Sequence, residues 1–285
     1  MSMKLEAEVK MEPRNSLSTK ALWPRIVCPT CRTGALALKT NAVQCDHCGA
    51  SFPVTNGVID LIPGPSEERR LWQDIVDSNV FVQLYESRLW RAGPFFNVLF
   101  GISFKKELEM IIQALALHND GTLLDIACGP GIYTRPFARR LHRGTVVGLD
   151  LSMPMVMYAH AKAQSKGIPN LFFIHGDAQD LPFPDNELDA ANCCGALHLF
   201  PDLPKTLSGI HRVLKEGGRV TVATARVPNI GLVKKGLRDW YHRRTGVKAF
   251  FVEELASLFE EAGFSDFVCH HAVRWWAIVS AAKSE

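Results

Sequence analysis

No stretch of the 285-residue chain approaches the roughly 18–20 consecutive apolar residues that a membrane helix requires. The nearest, GPFFNVLFGISF, is short and broken by glycine, proline and asparagine. The opening residues, MSMKLEAEVKMEPRNSLSTK, alternate in charge and lack the apolar centre of a secretory signal. A strong excess of one charge is missing too. With 32 Lys and Arg against 29 Asp and Glu, the net charge of +3 is too mild to point to nucleic acid by itself. These absences leave the expectation of a cytoplasmic globular protein with no membrane span. Its length suits one large domain and a small one.

Of the eight cysteines, Cys28, Cys31, Cys45 and Cys48 fall in the pattern C-x2-C-x13-C-x2-C. In a reducing compartment that spacing points to metal rather than to disulfides. Each C-x2-C is a tight turn aiming two thiolates at one centre. Two such turns complete a closed tetrahedral site, which is a structural zinc site. His47 lies inside the second knuckle and is read as exposed, because four cysteines already fill the shell. ALALKT and AVQC read as short strands, and SFPVTNGVIDLI as a hairpin turning at Asn56-Gly57. The expectation is a zinc ribbon over 25–63, behind a flexible tail over 1–24. So small a module buries little core, and metal binding supplies most of its folding free energy.

Residues 64–115 read as connecting helices and a possible lid, from the i, i+3, i+4 recurrence of apolar residues such as Leu71, Ile75 and Leu84. Covering the sheet edge is the plainer role for them. Tyr85 is their one polar-tipped aromatic of interest.

From 116 to 285 apolar strands and amphipathic helices alternate: TLLDIA, GIYTRPFARRL, GTVVGLD, MPMVMYAHAKAQ, NLFFIHGDA and onward. Repeated βα units imply a parallel sheet with helices on both faces, binding its ligand at the carboxyl ends of the strands. The first strand ends at Asp125 and enters a turn with Gly129 and Gly131. A dinucleotide fingerprint would place a third glycine at 134, where this chain has Thr134, so a pyrophosphate is disfavoured. Asp150 ends the second strand, where a carboxylate accepts from ribose hydroxyls. Asp177 follows the third, within reach of an adenine amino group. Asp125 can face a positive charge. Acids without a phosphate-binding lysine suit a nucleoside that carries cationic methionine and no phosphate, which is S-adenosylmethionine.

LLDIACGPG, VVGLDLS, GDAQDLPFPDNELDAA and LKEGGRV together resemble the class I S-adenosylmethionine-dependent methyltransferases. Ala127 stands where that family usually has the first glycine of D/E-x-G-x-G-x-G. Ubiquinone and menaquinone C-methyltransferases are similar in carrying alanine there. The resemblance implies a Rossmann-like α/β fold with a seven-stranded sheet whose last strand is antiparallel. It further implies that Asp125, Ala127, Gly129, Gly131, Asp150, Leu151, Asp177 and Ala178 surround the cofactor, with Cys194 facing its methionine part.

Methyl transfer from a sulfonium is an in-line displacement, so the protein chiefly aligns the acceptor and excludes water. A base is needed only when the acceptor must lose a proton. His198, just past the fourth strand, is the candidate base, against the plainer reading that it orders its loop. Cys193 and Cys194 read as small core residues rather than reactive thiols. Of Trp275 and Trp276, one should be core. The segment around Trp240 and Tyr241, with Lys234, Lys235, Arg238, Arg243 and Arg244, can cover the pocket or grip RNA or anionic lipid.

Three functions stay open at this point. The first is a methyltransferase for a small lipophilic or aromatic acceptor. The second is a ribosomal RNA guanine methyltransferase, because bacterial enzymes of that kind share the order of ribbon, helices and domain. The third is a cofactor-binding interaction module without turnover. The acceptor atom and the oligomeric state are not readable.

Overall fold

A computed structural model describes residues 25–62, 94–228, 234–245 and 247–284. The expected tail over 1–24, most of the expected connecting helices with Tyr85, and residues 229–233 lie outside the described residues.

Four short strands come first: β1 (Leu36–Leu38), β2 (Ala42–Cys45), β3 (Ser51–Thr55) and β4 (Val58–Asp60). β3 and β4 form the expected hairpin. Asn56 and Gly57 both take positive φ, 48° and 84°, which suits a turn that matches the strand twist. After α1 (Pro94–Phe100) and α2 (Phe104–Leu115) the alternating unit begins. It runs β5 (Thr122–Ile126), α3 (Thr134–Arg140), β6 (Thr145–Asp150), α4 (Met153–Ser165) and β7 (Leu171–His175). Next come β8 (Leu188–Cys194), a 3-10 turn (Leu197–Leu199), α5 (Leu203–Val213) and β9 (Leu214–Ala225). The chain closes with α6 (Lys234–Thr245), α7 (Val252–Glu261), β10 (Phe264–Val273) and β11 (Trp276–Lys283).

The strands line up as β1-β2-β3-β4-β7-β6-β5-β8-β9-β11-β10. Seven of them, β7 through β10 in that order, are the expected sheet, and the last strand, β11, runs antiparallel to both of its neighbours. The expectation of a seven-stranded sheet needs correction, because the sheet has 11 strands. β4 pairs in parallel with β7, matching Val58 to Phe173 and Ile59 to Ile174. The physical reason is the edge of β7. Its N–H and C=O row would lie unpaired, and β4 covers it with two residues buried on both faces. The small module is therefore an extension of the large sheet. Ile26, Val43, Phe52 and Ile59 join one apolar cluster with Leu124, Val147 and Ile174.

The chain runs outward from β5 through β6 to β7, then returns to β8 beside β5. That reversal opens a crevice over the carboxyl ends of β5 and β8, where ligands of such sheets bind.

Candidate active site

β5 delivers Asp125 to the bottom of this crevice. The carboxylate is buried, accepting from the Thr134 hydroxyl at 2.6 Å and the Asn192 amide at 2.7 Å. Burial pushes its pKa up to about 6, against the two donors, which pull it down. Thr134, where a dinucleotide site would have glycine, thus holds the acid. Asn192 is in turn fixed by the Thr221 hydroxyl at 2.9 Å.

The turn after β5 winds through left-handed backbone at Ala127 (φ 51°), Gly129 (φ 52°) and Gly131 (φ 74°). Alanine is strained there by about 1–2 kcal/mol, which is why glycine is the easier residue. A Cβ added at Gly129 would meet nothing within 4 Å, so the turn presents an open backbone cradle. At Gly131 it would press on Ala159 at 3.1 Å and Arg135 at 3.2 Å.

Asp150 closes β6 facing that cradle. Its Oδ2 accepts from the Gly129 amide at 2.7 Å and its Oδ1 from the Ser152 amide at 2.9 Å. Asp177 follows β7 and accepts from the Gln179 amide at 2.9 Å, with Ala178 buried beside it. Leu151 is reached by His175, whose Nε2 lies 2.9 Å from the Leu151 carbonyl oxygen. The structure thus brings Asp125, Ala127, Gly129, Gly131, Asp150, Leu151, Asp177 and Ala178 to the carboxyl ends of β5, β6 and β7. Cys194 ends β8 on the other side of the crevice. Those acids and the open cradle fit a nucleoside with a cationic tail.

His198 sits on the 3-10 turn past β8, its Nδ1 3.1 Å from the Thr224 hydroxyl and 3.4 Å from the Ala225 amide. Donation from Nδ1 to Thr224 puts the lone pair on Nε2, as a base requires. Donation from the Ala225 amide to Nδ1 selects the opposite tautomer.

The four cysteines of the N-terminal module converge, with all four sulfurs within 4.8 Å of one another. Cys28 and Cys48 sulfurs are 3.7 Å apart, and those of Cys31 and Cys45 are 3.6 Å apart. A tetrahedral zinc with bonds of about 2.3 Å sets its sulfurs about 3.8 Å apart, so the arrangement fits. The Thr33 hydroxyl and the amides of Thr33 and Gly34 lower the Cys31 thiol, while burial and the neighbouring thiols push that of Cys48 up. His47 is exposed, as expected.

Residues 123–218 match a family described as methyltransferase domain. A demethylmenaquinone methyltransferase of Bacillus pumilus is 32% identical over 193 residues, which span 59% of this chain and 82% of that protein. One from Listeria monocytogenes is 28% identical over 188 residues, spanning 58% of this chain and 79% of that protein. This chain belongs to the S-adenosylmethionine-dependent methyltransferases. Solved structures agree in fold. Phosphoethanolamine N-methyltransferase 2 of Haemonchus contortus superposes with a TM-score of 0.62 at 16% identity, over 89% of this chain and 70% of that one. Geranyl diphosphate C-methyltransferase of Streptomyces coelicolor gives 0.55 at 17% identity, over 63% of this chain and 76% of that one.

Several polar residues of this methyltransferase at the same sheet end had no signal in the sequence. Glu107 of α2 is fully buried, accepting from the Trp276 indole at 2.8 Å, with the Cys194 thiol at 3.7 Å. Trp276 is the core tryptophan of its pair. Cys193 is buried as well, and burial pushes its thiol up, which keeps it inert. Asp60, at the end of β4, meets His175 Nδ1 at 2.7 Å. The partners in these contacts lie far apart in sequence, and only the sheet order brings them together. No helix among the described residues is long and apolar enough to cross a membrane.

Proposed function

We propose that the chain transfers the methyl group of S-adenosylmethionine to a small lipophilic or aromatic acceptor of quinone-like character. The observation that carries this is the shared sequence with demethylmenaquinone methyltransferases, which spans 82% of the Bacillus pumilus protein. Asp150 would accept from the ribose hydroxyls, Asp177 from the adenine amino group, and Asp125 would face the cationic methionine end. The backbone at Ala127, Gly129, Gly131, Leu151 and Ala178 would line the cofactor, with Cys194 beside its methionine part. The cofactor supplies an activated methyl and leaves as a neutral thioether. The protein's part is to align the acceptor and keep water out. His198 is the proposed group that takes the acceptor's proton. Cys28, Cys31, Cys45 and Cys48 are proposed to hold one structural zinc.

Two features bear on the alternative of a ribosomal RNA substrate. Exposed Arg243, Arg244 and Trp240 on α6 offer the basic and aromatic surface that RNA would use. On the ribbon side, however, Arg25, Arg32 and Arg212 are already paired with Glu187, Asp180 and Asp185. Exposed Val98, Leu99 and Val273 add apolar surface at α1 and the β10 end.

The test is transfer of labelled methyl from S-adenosylmethionine to a short-chain demethylmenaquinone and, separately, to unmodified ribosomal RNA. Label in the extracted quinone, at a rate insensitive to salt, is the expected result. Label in RNA alone, with a rate that collapses as salt rises, would establish the other substrate class.

A further inference from the structure

We infer that the N-terminal module is a working part of the cofactor site, in which Asp60 and His175 position the loop that carries Asp150. This rests on the reading that Asp150 and Asp177 face the cofactor.

The contacts form an unbroken series. Cys45 ends β2, which pairs with β3, which pairs with β4. β4 ends at Asp60, whose Oδ1 lies 2.7 Å from His175 Nδ1. The opposite nitrogen of the same ring, Nε2, donates to the Leu151 carbonyl at 2.9 Å. Leu151 directly follows Asp150, whose two oxygens take the amides of Ser152 and Gly129. One imidazole therefore ties the edge of the small module to the backbone beside the ribose acid. Both partners are acceptors, a carboxylate and a carbonyl, so each ring nitrogen donates and the two bonds together fix the ring plane.

The pair is not a surface decoration. Its side chains are 12% and 23% exposed, which lifts it above the weak, screened class of exposed ion pairs. Asp60 is held from behind by the Ile62 amide at 3.2 Å, and the Leu61 amide donates to the His175 carbonyl at 3.0 Å.

A second set of contacts reaches the other loop. Arg32, directly after the first knuckle, forks onto Asp180, three residues past Asp177. The Val27 amide donates to the Pro182 carbonyl at 2.9 Å. The module thus grips the chain after β6 and the chain after β7, the two segments proposed to flank the adenosine. Asp60 and His175 are positioning residues here. They act on the cofactor through Leu151 and Asp150 and touch no reacting atom.

The experiment is calorimetric binding of S-adenosylmethionine and S-adenosylhomocysteine to the full chain, with folding checked by circular dichroism. His175→Ala and Asp60→Ala should each weaken both ligands about tenfold, the size of one partly shielded charge-assisted hydrogen bond. Both ligands should lose alike, because the adenosine end is common to them. The double variant should lose no more than either single one, since the two residues act as one unit. Asp60→Asn keeps an acceptor for His175 and should restore most of the affinity. Arg25→Ala breaks a module contact that does not lead to the cofactor loops and should leave affinity unchanged. Wild-type affinity in folded His175→Ala, or losses at Asp60 and His175 that simply add, would overturn the proposal and leave the pair a plain structural tie. A wild-type chain that binds neither ligand would instead remove the cofactor reading on which it rests.

Discussion

In the large part of the sheet, β5 and β6 hold Leu123, Leu124, Val146, Val147 and Leu149 wholly out of water. In the small module β1 buries none of its three residues and β3 buries one of five. Each large aliphatic side chain taken from water contributes about 1.5–3 kcal/mol, so the parallel strands carry their own stability. The small module buries fewer residues, chiefly Ile26, Val43 and Phe52 against the main cluster, and its four thiols converge beside them. If the proposed zinc is bound, one hydrogen-bonded sheet draws on two sources of stability. The seam is β4, whose Val58 and Ile59 are buried nearly as fully as the main strands. The small module is thus joined to the large sheet through a strand that belongs to the larger core.

The harshest way to break this comparison is to take the proposed zinc away. Structural zinc sites in small modules are worth on the order of 10–16 kcal/mol of apparent binding free energy at neutral pH. Chelation, or Cys45→Ser, should therefore melt β1 to β3 outright. In hydrogen exchange the amides of Val43 and Phe52 should lose protection while those of Leu124 and Val147 keep it. The melting temperature of the remainder should also drop, because the edge of β7 loses its cover. Elemental analysis finding no zinc in protein purified without chelator would remove the premise. Retained protection at Val43 after chelation would show that the ribbon holds itself.

Asp150→Ala strikes the other region alone. The ligand's hydroxyls would lose a charged acceptor, and the amides of Gly129 and Ser152 would lose theirs. Affinity for S-adenosylmethionine should fall by about 2–4 kcal/mol, or roughly 30- to 1,000-fold. Zinc content and ribbon protection should not change. Calorimetry that finds wild-type affinity would move the cofactor away from β6.

How much of this was legible in the sequence depends on whether the signal is local. The runs LLDI and TVVGLD declare strands buried on both faces, and an acid at the end of each declares a ligand site. Both lie within a few residues of their cause. The four cysteines are legible for the same reason, because each C-x2-C knuckle is four residues long. The pairing of β4 with β7 is not legible, since Val58 and Phe173 meet only once the sheet is assembled. Asn192 beneath Asp125, Glu107 beneath Trp276 and Asp60 against His175 are hidden in the same way. Thr134 lies between the two cases. Its failure to be glycine disfavoured one ligand class, and only the fold shows its hydroxyl holding the acid.

A smaller loss should separate chemistry from binding within the large region. His198→Ala should lower kcat about 100-fold, as expected for removal of a general base, with cofactor affinity unchanged. An unaltered rate at saturating acceptor would mean that the Ala225 amide, not Thr224, sets the ring's tautomer, and that His198 serves its loop.

The gentlest probe is pH, read through cofactor binding so that it reports on the buried carboxyl of Asp125. Asp125 holds its proton up to about 6, above the ordinary carboxylate value of 3.8, mainly because burial penalises the ionised form. Between those values the folded chain binds more protons than the unfolded one. Asp125's contribution to stability is therefore fully present below 3.8 and is lost as pH rises through about 6. A cationic ligand beside it reverses the preference, since ionised Asp125 then has a partner. Binding of S-adenosylmethionine should accordingly expel a proton below about pH 6. Its affinity should strengthen up to about tenfold per pH unit toward that value and level off above it. Calorimetry in two buffers of different ionisation enthalpy measures the released proton directly. It should be a substantial fraction of one at pH 5.5 and near zero at pH 7.5, by the linkage relation with a midpoint of about 6. Asp125→Asn should abolish the release while its neighbours Thr134 and Asn192 stay buried. An affinity that does not change between those two pH values would mean the ligand's positive charge lies elsewhere in the crevice, out of reach of the acid at the end of β5.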